Sequence, residues 1–139
     1  MKDKIAKKLE ELKYYAGLLE SYKDRAEEEL EKDVTLIGAV ERYLQVAIEC
    51  ALDIGEMIIA YEGLKKADTY REVIIRLGEA KILDKKFAEH FSLAAGFRNI
   101  LVHHYTEVNT NEVYKHLQGD IDDFNEFAIA VSSYLKKKG

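Results

Sequence analysis

The feature that most constrains the fold is the absence of proline from all 139 residues. Proline lacks a backbone N–H and clashes with the preceding helical turn, so a chain without it can form long uninterrupted helices. Strong helix formers, above all Ala, Leu, Glu and Lys, are abundant, and they favour helices joined by short polar turns. With 47% hydrophobic residues the chain can bury a core. We therefore predict a single all-α domain over residues 1–139.

Apolar spacing and capping residues define the helices of the N-terminal half. Apolar residues separated by steps of three and four predict one long amphipathic helix over residues 2–31. Asp33 is a candidate N-cap for a second, more apolar helix, which Gly63 is expected to end. Asp68 or Thr69 can cap a shorter third helix.

The C-terminal half follows the same pattern. The short third helix is expected to end near residues 78–81, and Asp84 can cap a fourth helix. Asn109, followed three residues later by Glu112, fits a capping box for the last helix. Together these elements predict an antiparallel four-helix bundle with an additional short helix.

Charge and composition exclude several classes of function. The net charge of -5 argues against broad nucleic-acid binding, although residues 63–106 carry eight basic and five acidic side chains and so have a net charge of +3. The charged N-terminus predicts neither a secretory signal nor a membrane anchor, and we expect a cytoplasmic protein. Cys50, the only cysteine, is interpreted as a buried hydrophobic residue. Phosphate-binding glycine loops, nucleophile elbows and zinc signatures are absent from the sequence.

One stretch carries residues suited to catalysis: "GFRNILVHHYTEVN", residues 96–109, which contains Arg98, His103 and Tyr105. At 100° per residue, Arg98 and Tyr105 share a helix face, whereas His103 lies about 140° round from Arg98. The three groups could meet if the helix ends or bends near His103, or if two copies of the chain join across a two-fold axis. His103 and His104 point apart on any helix, so we expect no metal site there.

The stretch from Arg98 to Tyr105 resembles the Arg-x4-His-x-Tyr motif of HepT-like ribonuclease toxins, within the HEPN superfamily, and residues 39–58 resemble the second helix of that family. The resemblance implies a homodimeric, metal-independent endoribonuclease whose paired motifs line a cleft between protomers, with no cofactor expected. It also implies a partner, an MntA-like nucleotidyltransferase antitoxin, which transfers AMP from ATP to the motif tyrosine, here Tyr105.

The residue types suit cleavage of RNA through its own 2′-hydroxyl. His103 is the candidate acid or base, because histidine exchanges protons near neutral pH. Arg98 offers a planar fork of donors for the scissile phosphate. Tyr105 is a candidate to position the phosphate or to stack on a base, and AMP attached there would fill the cleft. Asn99 and His104 are secondary candidates, for hydrogen bonding near the arginine and for contact with RNA.

A row of polar residues on the second predicted helix admits more than one interpretation. Glu41, Gln45, Glu49 and Asp53 follow one another at i, i+4 spacing on an otherwise apolar helix. A solvated face or a dimer contact explains such a row more simply than an acidic site does. One of its members is also a candidate to orient Arg98.

Two other functions compete with the nuclease hypothesis. A non-catalytic HEPN module that binds a partner nucleotidyltransferase or a nucleotide is the first, and a structural helical dimer without an active site is the second. His90 and His116 are interpreted as surface or packing histidines. An RNA-facing edge and a solvated helix face explain equally well the basic residues that run from the third predicted helix to the start of the fourth: Arg71, Arg76, Lys81, Lys85 and Lys86.

Overall fold

The computed structural model describes residues 1–103 and 108–138, and over these ranges all of the regular secondary structure is helical. Its six helices are α1 (Lys2–Glu20), α2 (Glu27–Lys32), α3 (Val34–Glu62), α4 (Tyr70–Glu79), α5 (Lys85–His103) and α6 (Thr110–Lys138). Four of them are long, and α2 and α4 are short. The prediction of an all-α helical bundle is therefore confirmed.

One predicted boundary is wrong, because the expected helix over residues 2–31 is two helices, α1 and α2. The break follows Glu20, where the hydroxyl of Ser21 donates to the carbonyl of Leu18. Between the buried Leu19 and Leu30 no side chain is fully buried, so a continuous helix there would gain little from packing. The backbone carbonyl of Lys23 instead accepts a hydrogen bond from the side-chain amide of Gln118 in α6 at 2.8 Å.

The predicted caps of α3 are present at both ends. The Asp33 carboxylate accepts a hydrogen bond from the Leu36 amide at 3.0 Å, and Gly63 ends the helix with a φ of 66°. That left-handed conformation favours glycine because a side chain there would be strained.

The caps of α4, α5 and α6 also form where they were expected. Thr69 rather than Asp68 caps α4, because its hydroxyl accepts from the Glu72 amide at 3.1 Å. Asp84 accepts from the Phe87 amide at 3.2 Å at the start of α5. Asn109 accepts from the Glu112 amide at 2.8 Å at the start of α6. Local sequence therefore fixes where these helices begin.

The core is one cluster of buried apolar side chains to which all six helices contribute. α3 is central, since it packs against all five other helices. α4 lies against both α3 and α5. This close approach depends on Gly55, where an added Cβ would lie 2.6 Å from Cγ1 of Val73. The short helix α4 is thereby held beside the part of α5 that carries Arg98.

In the part of the chain that the structure describes, none of the helices combines the length and the apolar character needed to cross a membrane.

Candidate active site

Arg98 of α5 forms an ion pair with Glu49 of α3. Its Nε donates to Oε2 of Glu49 at 3.0 Å, and its Nη2 lies 2.9 Å from the same oxygen. The Arg98 side chain is 17% exposed and that of Glu49 is 30% exposed, so water screens the pair only in part. Because two nitrogens are held by one oxygen, the plane of the guanidinium is fixed relative to α3.

Two further residues complete the surroundings of the guanidinium. Its carbon Cζ lies 4.8 Å from the ring centroid of Tyr70, the first residue of α4, at a distance suited to a cation–π interaction. Nη1 lies 3.4 Å from Oδ1 of Asn99, a long hydrogen bond. The sequence hypothesis that Asn99 bonds near the arginine is consistent with this contact. Tyr70 was not among the site residues predicted from the sequence, because nothing in its local sequence relates it to Arg98, 28 positions further on.

Arg98 faces a small cavity of about 210 Å³ whose walls include three carboxylates. Those of Glu49, Asp53 and Glu56 line it together with Tyr70. The Asp53 carboxylate lies 3.2 Å from the Lys8 ammonium of α1. Hydrogen bonding to Asp53 raises the pKa of Lys8 above its usual value. Within one chain, therefore, Arg98 lies in an acidic rather than a basic environment.

His103 is the last residue of α5 and its side chain is exposed. α5 continues without interruption from Lys85 and ends at His103, as one of the alternatives expected, but the segment from Arg98 to His103 is helical throughout. In regular helical geometry the two residues are separated by about 140° around the axis and about 7.5 Å along it. This geometry directs the two side chains of one protomer away from α5 on different sides.

The remaining motif residues, His104 and Tyr105, lie outside the described residues. Their assigned roles, contact with RNA and acceptance of AMP, stay predictions. Among the residues that the structure does describe, no group of three or more His, Cys, Asp or Glu side chains is placed to hold a metal ion.

The polar row on α3 is divided among different partners. Glu49 binds Arg98 and also accepts a 3.4 Å hydrogen bond from the side-chain amide of Gln45. Asp53 binds Lys8. Glu41 is half-buried, and burial raises the pKa of its carboxyl. The hypothesis that one member of the row orients Arg98 is confirmed for Glu49.

The two other histidines that the structure describes are surface or packing residues, as expected. His90 is largely exposed, and its Nε2 lies 2.8 Å from Oδ2 of Asp123. The ring of His116 in α6 stacks on Phe97 of α5, with centroids 3.8 Å apart, and its Nδ1 lies 2.9 Å from Oδ2 of Asp120. This stack ties the start of α6 to the residue beside Arg98.

The basic residues of α4 and the start of α5 do not act as one group. Arg76 is held by Glu72 and Glu79 at 3.4 and 3.3 Å and donates to the backbone carbonyl of Lys65. The side chain of Arg71 is exposed and its methylenes lie over Gly96. Arg76 is therefore a structural residue, whereas Arg71 presents its charge to solvent.

Comparison with known proteins identifies the family. A family model described as ribonuclease HepT-like matches residues 7–131. The chain belongs to the ribonuclease HepT-like family. Its Arg98, His103 and Tyr105 thus lie within the matched region of a HepT-like protein.

Curated relatives of this HepT-like chain are named as nucleases. A tRNA nuclease HepT of Aphanizomenon flos-aquae is 28% identical over 132 residues, which cover 94% of this chain and 84% of that protein. An mRNA nuclease HepT of Shewanella oneidensis is 27% identical over 99 residues, covering 71% of this chain and 74% of that one.

Solved structures share the fold over most of the chain. A tri-AMPylated HEPN toxin of Shewanella oneidensis, in complex with an MNT antitoxin, superimposes with a TM-score of 0.86 at 25% identity. The match covers 96% of this chain and 99% of that one. The helical architecture is therefore that of HEPN toxins.

Proposed function

We propose that this HepT-like protein is the endoribonuclease toxin of a toxin–antitoxin pair, and that it cleaves RNA without a metal ion. The observation that carries the proposal is the arginine of the motif, held by Glu49 at the surface where α3, α4 and α5 meet. The nuclease names of the relatives support the reaction class.

The orientation of Arg98 leaves donors for a phosphate. A guanidinium has five N–H groups. Glu49 engages one on Nε and one on Nη2, and the long contact to Asn99 engages one on Nη1. One N–H group remains on Nη1 and one on Nη2. Both nitrogens are bonded to Cζ, an arrangement that suits a bidentate contact with two phosphate oxygens.

The proposed active form is a homodimer. His103 leaves α5 about 140° round from Arg98, so one protomer is poorly arranged to place both groups on one phosphodiester. The carboxylates of Glu49, Asp53 and Glu56 also oppose an anion at Arg98. A second motif brought in by a partner protomer adds a guanidinium and an imidazole to the same groove, and so supplies the missing positive charge and the proton transfer.

The proposed reaction uses the substrate's own nucleophile. An imidazole of His103 removes the proton of the ribose 2′-hydroxyl, whose oxygen then attacks the neighbouring phosphorus. The bond from phosphorus to the 5′-oxygen breaks, and that oxygen takes up a proton, for which the second His103 of the dimer is the candidate donor. Arg98 stabilises the charge that builds up on the phosphoryl oxygens. The products are a 2′,3′-cyclic phosphate and a 5′-hydroxyl.

The proposed regulator is an MNT-type nucleotidyltransferase that modifies Tyr105. Support comes from the Shewanella oneidensis structure, which is of an AMPylated HEPN toxin bound to an MNT antitoxin. AMP on Tyr105 adds a bulky anion two residues after His103, where it would repel and displace an RNA phosphate.

The test is cleavage of RNA by purified protein in EDTA, with analysis of the product ends. We expect cyclic phosphate ends, and a loss of cleavage of at least about 100-fold in His103→Ala. The matched control is His90→Ala, since His90 is also an exposed histidine of α5 but is paired with Asp123; it should cleave like the wild type. Undiminished cleavage by His103→Ala would remove this residue from the mechanism, and a requirement for divalent metal would refute the metal-independent reaction.

A further inference from the structure

A second and larger cavity lies next to the one that contains Arg98. Its volume is about 710 Å³, within the range of small-molecule sites, about 300–1,000 Å³. It is formed by the C-terminal turns of α3, the connection over residues 63–69, the start of α4, and Asn99 of α5. We call it the α3–α4 cavity.

The α3–α4 cavity has an apolar floor. Ile59 and Val73 are 8% and 3% exposed, and Leu64 and Ala67 are partly buried against the core. Such a floor suits a flat, uncharged ring system, because apolar contact is gained without burying a charge.

Its rim is polar and is made by exposed side chains. Glu56 and Asp68 contribute carboxylates, Lys66 an ammonium, and Asn99 an amide. Carboxylate oxygens only accept hydrogen bonds, and amide groups both donate and accept. A ligand that carries an amino group or a ring N–H can therefore be held at this rim.

The two cavities share walls. Glu56 and Tyr70 line both of them, while the consecutive residues Arg98 and Asn99 line one each. A ligand group at Asn99 is thus adjacent to one at Arg98. This is the arrangement needed for a base and a phosphate of the same nucleotide chain.

We propose that the α3–α4 cavity binds one nucleobase of the RNA strand whose phosphate contacts Arg98, which makes it a determinant of where the RNA is cut. This inference rests on the proposed function. The Glu56 and Asp68 carboxylates accept hydrogen bonds from the exocyclic amino group of adenine, guanine or cytosine. Uracil has no exocyclic amino group, and its ring N–H lies between two carbonyl oxygens that the carboxylates repel, so uracil is the disfavoured base at this position.

The first experiment measures binding, so that it does not depend on catalysis. Homopolymeric 2′-O-methyl RNA oligonucleotides of the four bases, which lack the nucleophilic hydroxyl, are titrated by fluorescence anisotropy. The test variant is Ala60→Trp, which fills the cavity from an exposed helical position. The matched control is Ala6→Trp, an exposed helical alanine of α1 that lines none of the cavities described here.

We expect the wild type to bind an amino-bearing homopolymer more tightly than poly-uridine. Ala60→Trp should weaken the preferred oligonucleotide about tenfold or more, and Ala6→Trp should leave it unchanged. Equal affinity for all four homopolymers, preference for uridine, or an Ala60→Trp profile like that of the wild type would each overturn the inference. Circular dichroism of both variants verifies that they are folded.

A cleavage assay then separates this inference from the proposed function. Cleavage sites in a random RNA pool are mapped for the wild type and for Ala60→Trp. Cleavage with the same base preference in both proteins refutes the cavity's role and leaves the nuclease function intact. No cleavage by the wild type refutes the nuclease function, whereas the binding result on 2′-O-methyl RNA still decides whether the cavity holds a base.

Discussion

A single carboxylate oxygen, Oε2 of Glu49, lies within 3.0 Å of both Nε and Nη2 of Arg98 and so connects the middle of α3 to the motif helix α5. The pair spans 49 positions of sequence. It determines which edge of the guanidinium Glu49 occupies and which edge the proposed mechanism assigns to a phosphate.

Replacing Glu49 with Gln keeps the shape of the side chain and removes its charge. We expect RNA cleavage to fall by roughly 10- to 100-fold, because a guanidinium that is no longer held in one plane is misplaced relative to the phosphate. The measurement is kcat and KM on a defined RNA substrate. Asp53→Asn is the control, since Asp53 lies one turn further along α3 but is paired with Lys8. If RNA cleavage fell equally in the two variants, the negative charge of the polar row on α3, and not the Glu49–Arg98 ion pair, would be what supports cleavage.

Gly55→Ala should destabilise the protein by about 1–3 kcal/mol through overpacking. The new Cβ would lie 2.6 Å from Cγ1 of Val73, which is buried and stiff at its first torsion. In Gly38→Ala, also within α3, the added Cβ meets no atom within 4 Å, and we expect a gain of about 0.5–1 kcal/mol from the reduced flexibility of the backbone. Urea unfolding monitored by circular dichroism measures both. An unchanged free energy of unfolding in Gly55→Ala would show that α4 can move away from α3 without an energetic cost.

Cys50 should resist thiol reagents in the native protein. Its side chain is 2% exposed, and burial, reinforced by the nearby Glu11 carboxylate, raises the pKa of the thiol to about 11. At pH 8 little thiolate is present, and the thiolate is the reactive form. We expect labelling by a chromogenic disulfide reagent only after addition of denaturant. Complete labelling of the folded protein within minutes would contradict the burial of this residue.

Glu41→Gln should stabilise the protein at pH 7. Burial raises the pKa of this carboxyl in the folded state, so folding disfavours its charged form at every pH above the unfolded value of about 4.3. The free energy of unfolding of the wild type therefore falls as the pH rises from the unfolded pKa of this carboxyl through its raised folded pKa. Glu41→Gln carries no ionisable group at this position and does not show this fall. Because the side chain is only half-buried, we expect a gain of less than about 1 kcal/mol.

The pH dependence makes the Glu41 prediction specific. At pH 3 the carboxyl is protonated in both states, and the difference between Glu41→Gln and wild type should disappear. Thermal unfolding at pH 3 and pH 7 measures this, with the exposed Glu10→Gln as a control that should change little at either pH. A stabilisation that persists at pH 3 would assign the effect to something other than the charge.

The sequence predicts the helix boundaries well wherever they depend on local chemistry. Asp33, Gly63, Asp84 and Asn109 each act at the helix ends assigned to them, because a cap bonds to backbone groups only a few residues away. The break between α1 and α2 was not predicted. In this break the Gln118 side chain of α6 donates to the Lys23 carbonyl, a contact between residues 95 positions apart that no local pattern reveals.

The site was predictable in its residue types but not in its geometry. Periodicity identified the row that contains Glu49, yet it could not distinguish this residue from Gln45 or Asp53, since the choice depends on how α3 and α5 pack. Tyr70 has no sequence signal, because its contact with Arg98 arises only from the docking of α4. His104 and Tyr105 remain predictions.

Arg98 and His103 lie in one uninterrupted helix, and this limits the insertions and deletions that the segment between them can accept. A codon inserted between them would turn one residue relative to the other by about 100° and shift it by about 1.5 Å. Insertions and deletions should therefore be excluded from the interval between the two residues.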